Sequence, residues 1–419
     1  MTKKRISLLL ALLLALPLAA QHNTRAEIMA DIEKAGGVYY MYPMDQPAPT
    51  AAPKGYKPFY ISHLGRHGAR FALGGSVYED QLAVWSSAHE KGLLTPEGEA
   101  VWAAYSQLYP SIARREGYLT QKGQEQHRWI ARQMMRRYPA VFKGKTSARA
   151  VSTYSHRVIV SMYSFLDELD DLDKSFTVTS DYGYPYQAYL LPEVIDQSIP
   201  WPDSVNRKYA GFKEKNLDSK AVLSRWFTST EGLIRNPWSF CADLHTVVCD
   251  LDNLDTPVPE ILTKLFTPEE RYGLWRVQNY SEYLRLGLST EVENVRPESM
   301  HALLDDIIEK ADEAISTGSV QLDLRFSHDS ALMPLLSLMG LNSFGARTGD
   351  PETLEDSWRS FDIPMACNLQ LVFFRSRKSP EILVQVLLSG REATLPLEMA
   401  APGSFYRWSD FRARYGSSK

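Results

Sequence analysis

The sequence is short of cysteine, of long apolar runs and of excess positive charge. Three cysteines in 419 residues are too few for the framework of a disulfide scaffold. Beyond the first 20 residues, no apolar run approaches the roughly 20 residues that a membrane-spanning helix needs. These shortages exclude a disulfide-rich miniprotein and an integral membrane protein. They leave a globular chain long enough to bury a large core.

The cysteines leave one question open. Cys241 and Cys249 are the only pair close enough in sequence to suggest a short-range bridge. An oxidising compartment would allow that bridge, but two cysteines eight positions apart do not require one.

The N-terminus has the pattern of an export signal. Lys3, Lys4 and Arg5 precede an apolar run over 6–18, which ends in the small residues Ala19 and Ala20. This pattern predicts a signal peptide over 1–20, removed after Ala20. No cysteine stands at the cleavage point, which argues against a bacterial lipid anchor. We therefore expect an exported protein, periplasmic or secreted.

The charge balance argues against several partners. The whole chain has 46 basic and 50 acidic residues, and without the three basic residues of the signal it has 43 and 50, a net charge of −7. A mildly acidic surface suits neither nucleic acid nor an anionic membrane. Any affinity for an anionic substrate must therefore come from local clustering of cations.

Such a cluster stands in the stretch 59–71, FYISHLGRHGARF. Its apolar start predicts the end of a buried strand, and its two glycines predict a tight turn. Within the turn, His67 lies between Arg66 and Arg70. Guanidinium groups suit phosphate or carboxylate, and an imidazole between them is a candidate nucleophile or base. The alternative is a basic surface loop with a histidine.

Two more stretches repeat the layout of strand, polar loop and helix. The strand 148–153 is followed by a helix from Arg157, and the strand 320–326 leads through Ser327-His328-Asp329 to a helix over 331–339. Sites collect beyond the carboxyl ends of strands in open α/β sheets. Taken alone, Asp329 would be better explained as the N-cap of its helix.

These motifs together resemble the histidine phosphatase superfamily, and more narrowly its histidine acid phosphatase and phytase branch. Arg66-His67-Gly68-Ala69-Arg70 matches the RHGxR signature, and Ser152, Thr153 and Arg157 fit a second motif. His328-Asp329 supplies the distant His-Asp pair. The tyrosine-rich segment before the first motif and the stretch 364–368 are similar to bacterial multiple inositol polyphosphate phosphatases.

The resemblance implies a role for each residue. His67 is the nucleophile that forms a phosphohistidine, and Asp329 protonates the leaving oxygen and then activates water. It implies no metal and no cofactor, because fixed cations neutralise the transferred phosphoryl group. The predicted phosphate-binding residues are Arg66, Arg70, Arg157 and His328.

Two departures from the family pattern concern the pocket. The position where many phytases continue the first motif with proline is Leu73, so the rim of the pocket is expected to differ. The inositol polyphosphate subgroup commonly ends its second motif in His-Ala-Glu, whereas this chain has His328-Asp329-Ser330. Asn368 is a further candidate pocket residue; the alternative is that it ends a loop before a strand.

The alternation of strands and helices predicts an α/β fold, a three-layer α/β/α sandwich with a mostly parallel sheet and an inserted α-helical cap domain. The core is expected in two parts, 21–180 and 299–419, with the helical insertion over 181–298. Within the insertion, the run Asp250, Asp252 and Asp255 fails the calcium-loop pattern, and Cys241, Asp243, His245 and Cys249 fit no common zinc spacing.

The sequence thus predicts an exported, metal-independent phosphomonoester hydrolase whose first-choice substrate is an inositol polyphosphate such as phytate. Its partner is a small phosphomonoester, not nucleic acid and not a membrane once the signal is removed. The alternatives are a broad-specificity acid phosphatase or sugar-phosphate phosphatase and, from another class, a phosphoester-binding protein without turnover. The sequence does not determine the oligomeric state.

Overall fold

The computed structural model describes residues 23–74 and 76–417. The predicted signal peptide, residues 1–20, lies outside this part of the chain. No helix within the described residues combines the length and the apolar character needed to cross a membrane.

A single mixed sheet forms the centre of the molecule. Its strands are β1 Tyr56–Arg66, β2 Ser147–Ser152, β3 Thr177–Tyr182, β4 Leu322–Ser327, β5 Asn368–Ser376, β6 Ser379–Leu388, β7 Arg391–Glu392 and β8 Phe405–Arg407. They lie in the order β3-β2-β4-β1-β5-β6-β7, and β8 pairs with β6. The strands β3, β2, β4 and β1 are parallel to one another, while β5 is antiparallel to β1 and β6 to β5. β5 and β6 are joined by a short turn and form a hairpin.

The helices fill the connections between these strands. They are α1 Thr24–Ala30, α2 Val77–Glu90, α3 Pro96–Ile112, α4 Gln121–Arg137, α5 His156–Leu172, α6 Tyr184–Leu190, α7 Asp203–Asn216, α8 Ser219–Leu223, α9 Pro237–Asp250, α10 Glu260–Thr263, α11 Pro268–Leu286, α12 Val295–Ser299, α13 His301–Thr317, α14 Asp329–Met339, α15 Pro351–Leu354 and α16 Trp408–Tyr415. Short 3-10 segments occur at Ile32–Tyr39, Glu193–Ile195, Leu251–Asn253 and Ser360–Asp362. Threonines are the N-caps of three long helices: Thr95 accepts from the amide of Gly98, Thr120 from that of Gly123 and Thr267 from that of Glu270.

Helices cover both faces of the sheet, which gives the predicted three layers. Successive residues of a strand point to opposite faces. Along β1, Tyr60 and Leu64 join one core cluster, and Ile61, between them, joins the other. The first cluster also holds apolar side chains of α13, α14 and α16, and the second holds those of α4 and α5. The sheet is therefore buried between two helical layers.

The chain between the third strand and α13 contains helices only, from α6 to α12, among the residues that the structure describes. These helices share their apolar residues with the core cluster on one face of the sheet. The edge strand β3 was not anticipated, because its residues are largely exposed and carry no buried alternation. The division into two core parts and an insertion over 181–298 stays a prediction.

The structure answers the question of the cysteines. Cys241 and Cys249 both lie on α9, about two helical turns apart, and both are buried free thiols. The Cys249 Sγ lies 3.4 Å from the Nε2 of His245. Since the two thiols are separated along one helix, a bridge between them does not form.

Candidate active site

Three loops meet where the parallel strands β1, β4 and β2 end. The register places Arg66 beside Ser327 and Ser152 beside Phe326. Because neighbouring parallel strands end at the same edge, the residues that follow them share one site. One of the six predicted site residues ends β1, and the other five lie in these loops or at the helix starts that follow.

Arg66 is the last residue of β1 and is fully buried. Its Nη1 donates to the carbonyl oxygens of Val38, at 2.6 Å, and Ile363, at 2.9 Å. Its Nη2 lies 3.4 Å from the Oδ2 of Asp329. The two carbonyl partners hold the guanidinium plane still, and the remaining donors face the site.

The loop 67–70 follows Arg66 and packs against the start of α4; we call it the RHG loop. A Cβ on Gly68 would lie 2.3 Å from the carbonyl oxygen of Gly123, and a Cβ on Gly123 would lie 2.2 Å from that of Ala69. No side chain fits at either position. The amide of Gly68 donates to the Ser161 hydroxyl, and that of Ala69 donates to the side chain of Gln126 at 2.8 Å. The backbone of the loop is thus held by both α4 and α5.

His67 is fully buried in this loop. Its Nδ1 lies 2.9 Å from the carbonyl oxygen of Gly68, and its Nε2 has no hydrogen-bond partner within the described chain. A carbonyl oxygen only accepts, so the contact assigns the proton to Nδ1 and leaves a lone pair on Nε2. Burial first, and then the positive charge of Arg66, lowers the pKa of His67 well below its ordinary value. The ring is therefore neutral and has one free nitrogen.

Arg70 is held by a different set of groups. Its guanidinium lies over the ring of Tyr39, 4.7 Å from the centroid, and its Nη1 donates to the carbonyl oxygen of Phe71. Below it, the buried carboxyl of Asp250 accepts from the amide of Ala72 and from the hydroxyl of Tyr78. Burial raises the pKa of Asp250 to about 7. These contacts fix the backbone that carries Arg70.

Arg157 and His328 form a second unit on the other side of His67. Arg157 is the second residue of α5, and its Nη2 lies 3.3 Å from the Nδ1 of His328. The Nε2 of His328 lies 3.2 Å from the hydroxyl of Thr153. Because Arg157 can only donate, His328 carries its proton on Nε2. Burial, and next the charge of Arg157, lowers the pKa of His328 to about 3. The neutral ring of His328 therefore orients Arg157. Both nitrogens of this ring contact protein groups.

Asp329 is the first residue of α14, where unpaired backbone amides favour a negative charge. Burial on its own raises the pKa of this carboxyl, but the guanidinium of Arg66 and the other neighbouring cations hold it below its ordinary value. A second carboxyl, that of Glu282 on α11, responds to the charge of Asp329. Burial, and then that charge, raises the pKa of Glu282 to about 7. Near neutral pH the carboxyl of Asp329 is therefore ionised, whereas that of Glu282 takes up a proton as the pH falls through about 7.

The arrangement combines a neutral imidazole, three guanidinium groups and a carboxylate. The centroids of the His67 and His328 rings are 5.6 Å apart. Burial, and then the charge of Arg70, lowers the pKa of Arg157 to about 10, so all three arginines stay charged at and below neutral pH. Such a set can bind a tetrahedral oxyanion and present a nucleophile and a proton-transfer group to it.

Sequence reasoning missed three supporting residues: Tyr39, Asp250 and Glu282. The first lies in the tyrosine cluster before the RHG loop, but nothing in sequence places it under Arg70. In the sequence, Asp250 is part of a calcium-like run that ends at Asp255. In the structure the two aspartates have different partners, and the Asp255 carboxylate caps α4 by accepting from two backbone amides. Glu282 has no local signal at all, because the effect of Asp329 on its pKa arises between α11 and α14, which are distant in sequence.

One weaker candidate lies outside the cluster, and the described residues form no metal site. Asn368 is buried in the sheet, where its amide donates to the Tyr42 hydroxyl at 3.1 Å and to a carbonyl. Within residues 23–74 and 76–417, no group of three or more His, Cys, Asp or Glu side chains is arranged to hold a metal ion.

Several solved structures are similar to this one. The multiple inositol polyphosphate phosphatase of Bifidobacterium longum, in complex with inositol hexasulfate, has a TM-score of 0.73 and 18% identity over 90% of this chain and 97% of its own. The phytase of D. castellii has a TM-score of 0.71 and 14% identity over 92% and 84%. The phytase of Citrobacter braakii has a TM-score of 0.56 and 13% identity over 86% and 97%.

No protein-family model and no curated protein matches the sequence. At these identities the structural likeness establishes the architecture, and it agrees with the order of the three sequence motifs. The chain therefore has the histidine acid phosphatase fold.

Proposed function

We propose that the protein is a phosphomonoester hydrolase that works through a phosphohistidine. The observation that carries this proposal is the state of His67. Its Nδ1–H is tied to the carbonyl of Gly68, and its free Nε2 lies among three guanidinium groups. A nucleophile of this kind has no purpose in a protein that only binds its ligand.

In the first step, the Nε2 lone pair of His67 attacks phosphorus in line with the ester oxygen. The N–P bond forms, the P–O bond breaks, and its electron pair leaves with the alkoxide. Charge on the three equatorial oxygens is neutralised by Arg66, Arg70 and Arg157. The alkoxide takes a proton from Asp329 and departs as the alcohol.

The proton on Asp329 enters with the substrate. Without substrate, the carboxyl of Asp329 is ionised near neutral pH, because neighbouring cations lower its pKa. Below about pH 6 a phosphomonoester carries one proton of its own. Transfer of that proton to Asp329 in the complex gives the acid that the first step needs, and it predicts an acidic pH optimum.

In the second step, the Asp329 carboxylate accepts a proton from water as the water oxygen attacks the phosphohistidine. The O–P bond forms, the P–N bond breaks, and the electron pair returns to the Nε2 of His67. Asp329 passes the proton it took from water to the departing phosphate, which leaves as the monoanion, and the enzyme has its starting protonation state again. The guanidinium groups supply the positive charge throughout, so the proposed reaction uses no metal and no cofactor.

The first substrate to test is an inositol polyphosphate such as phytate. This choice is supported by the fold shared with phytases and with a phosphatase solved with inositol hexasulfate. The alternative is a broad-specificity acid phosphatase or a sugar-phosphate phosphatase. His-Asp-Ser at 328–330, where inositol polyphosphate phosphatases commonly have His-Ala-Glu, favours that alternative.

We also propose that the protein is exported and acts in the periplasm or outside the cell. The basic start, the apolar run and the small residues of the first 20 positions support this location. Expression of the whole chain, followed by mass determination of the exported product, tests for a mature N-terminus at Gln21.

The test of the function is phosphate release from phytate at about pH 5 with EDTA present, by the protein without residues 1–20 and by His67→Ala. Release by the parent alone supports histidine catalysis without a metal. Release from an aryl phosphate but not from phytate keeps the mechanism and rejects the inositol substrate. Equal release by His67→Ala, or tight binding of esters without any release, rejects the mechanism.

A further inference from the structure

Exposed apolar side chains gather beside the catalytic loops. Leu73, Tyr118, Tyr154, Tyr182 and Tyr184 leave between 40 and 76% of their surface exposed. Large exposed apolar groups that cluster are a mark of binding surfaces. We call these five residues the apolar rim.

The apolar rim borders Arg157, one of the three proposed phosphate-binding arginines. Tyr154 follows Thr153, whose hydroxyl contacts His328, and it precedes Arg157 by three positions. On the other side, the Cδ2 of Leu73 and the Nη1 of Arg157 lie 3.1 Å and 3.7 Å from the point that a Cβ on Gly117 would occupy. The apolar rim therefore flanks Arg157 from two directions.

Two tyrosines of the rim form an ordered pair. The rings of Tyr154 and Tyr184 are stacked, with centroids 5.0 Å apart and an angle of 29° between their planes. The loops that carry them are joined, since the amide of Gly183 donates to the carbonyl of Ser152 at 3.3 Å. Tyr184 is nevertheless 76% exposed. The exposed part of the Tyr184 ring is therefore available for another planar ring to stack on the pair.

The chemistry of this surface selects among phosphate esters. The face of an aromatic ring is electron-rich and stacks well on another planar ring. A cyclitol with phosphate on most of its carbons presents anionic groups in every direction, which that face disfavours. A monophosphate ester whose organic group is planar gains a stacking contact and loses nothing.

We propose that Tyr154 and Tyr184 form a leaving-group subsite that stacks on a planar aromatic group of the ester whose phosphate lies between the arginines. This inference rests on the proposed phosphatase function. It adds a substrate class, phosphomonoesters with an aromatic base or aryl group, and it assigns specificity to the loops after β2 and β3.

The test compares two esters that differ only in the planar group: adenosine 5′-monophosphate and ribose 5-phosphate. The parent is expected to show the larger kcat/KM for the adenosine ester. Stacking on an aromatic side chain is worth about tenfold or more when the ring is removed. Tyr184→Ala and Tyr154→Ala should each lower the ratio of the two kcat/KM values by about tenfold, and Tyr184→Phe should preserve it.

Tyr163→Ala is the matched control. Tyr163 is also an exposed tyrosine, but it lies six residues beyond Arg157 on α5, about 9 Å along the helix. Its replacement should leave the ratio at the parent value. The proposal is overturned if the parent does not distinguish the two esters, or if both alanine variants keep the parent ratio.

A binding arm separates this proposal from the proposed function. His67→Ala protein is titrated with each ester by calorimetry, with and without Tyr184→Ala. If the parent hydrolyses no ester, the phosphatase proposal fails, and the subsite is judged by binding alone. Tighter binding of the adenosine ester, lost in the double variant, supports the subsite; equal binding of the two esters rejects it.

Discussion

The imidazole of His67 owes its reactive form to its surroundings. An exposed histidine titrates near pH 6.5 and holds its proton on either nitrogen. Here the carbonyl of Gly68 selects the proton position, while burial and nearby positive charge remove the protonated form. In the proposed mechanism, the same guanidinium groups that lower the pKa of His67 also bind the phosphate. One set of charges would then prepare both the proposed nucleophile and its target.

At the level of single residues, the role of Asp329 makes a prediction that depends on the leaving group. Asp329→Asn removes the proton donor, so turnover of alkyl phosphates should fall by about 10²- to 10⁴-fold. A 4-nitrophenolate ion leaves without a proton, so the first step should survive with 4-nitrophenyl phosphate. The second step still lacks its base, and phosphohistidine should accumulate. Rapid mixing should show a burst of one equivalent of 4-nitrophenolate, followed by slow turnover.

A surface aspartate serves as the control for this experiment. Asp170→Asn, in an exposed ion pair on α5, should keep the parent rates with both esters. An equal loss for alkyl and aryl esters, with no burst, would show that Asp329 acts on binding and not on proton transfer.

At the level of elements, the sequence predicted the repeated unit of strand, polar loop and helix. Short apolar stretches identified strands at β1, β2 and β4. The end of β1 and all of β4 are buried on both faces, while β2 alternates between buried and half-buried residues. The helix starts at Thr95 and Thr120 agree with capping chemistry, since both threonine side chains accept from a backbone amide of the first turn. The RHG motif identified the loop that carries His67. The edge strand β3 and the two- and three-residue strands β7 and β8 had no such pattern.

What the sequence could not supply is contact between distant segments. Nothing local in the chain indicates that Gly68 and Gly123 touch, or that Glu282 senses the charge of Asp329. Leu73 departs from the family pattern, which the sequence shows. Its place near Arg157 is visible only in the structure, where both side chains lie against Gly117 of another loop. Roles that arise within one loop were therefore predictable, and roles that arise between loops were not.

The contact between α4 and the RHG loop leads to the prediction for this level. Gly123→Ala would place a methyl group 2.2 Å from the carbonyl oxygen of Ala69, so the loop or the helix must shift. Overpacking of this kind costs about 1–3 kcal/mol of stability. A shift near 1 Å in the position of His67 should lower kcat by on the order of 100-fold. Urea unfolding and steady-state kinetics measure the two effects.

A second glycine in a helix provides the matched control. Gly211 lies in α7, and a Cβ there would meet nothing within 4 Å. Gly211→Ala should therefore stabilise the protein by about 0.5–1 kcal/mol and leave kcat unchanged. If Gly123→Ala behaves in the same way, the close approach of α4 is not what positions the loop.

For the whole molecule, the net charge is negative although the candidate active site is rich in positive charge. The chain has a net charge of −4, yet Arg66, Arg70 and Arg157 converge on one site. Long-range attraction of a polyanion is therefore weak, and the free energy of binding must come from short-range contacts inside the site. This distribution suits a small ester better than an extended anionic polymer.

Buried histidines predict how the stability of the whole molecule depends on pH. Burial lowers the pKa of His63, His127, His245 and His328 to about 3. In the unfolded chain each of these histidines is protonated as the pH falls through about 6.5. In the folded protein they are not protonated until about pH 3. Stability is therefore complete above pH 6.5 and is lost as pH falls. At pH 5 each histidine should cost about 2 kcal/mol relative to pH 7.

Two buried carboxyls act in the opposite direction. The pKa values of Asp250 and Glu282 are raised to about 7, so their contribution is full below the unfolded value near 4 and is lost as pH rises through 7. They offset part of the acid loss between pH 7 and pH 5. Since the buried histidines outnumber them, urea should unfold the protein at a lower concentration at pH 5 than at pH 7.

His245→Gln isolates one histidine away from the catalytic loops. His245 is buried on α9 against Cys249, and glutamine takes up no proton in this range. The loss of unfolding free energy between pH 7 and pH 5 should be about 2 kcal/mol smaller in this variant than in the parent. His301→Gln, at an exposed position, should show the parent's loss. An identical loss in His245→Gln and the parent would mean that the folded protein admits the proton at His245, and that α9 opens in acid.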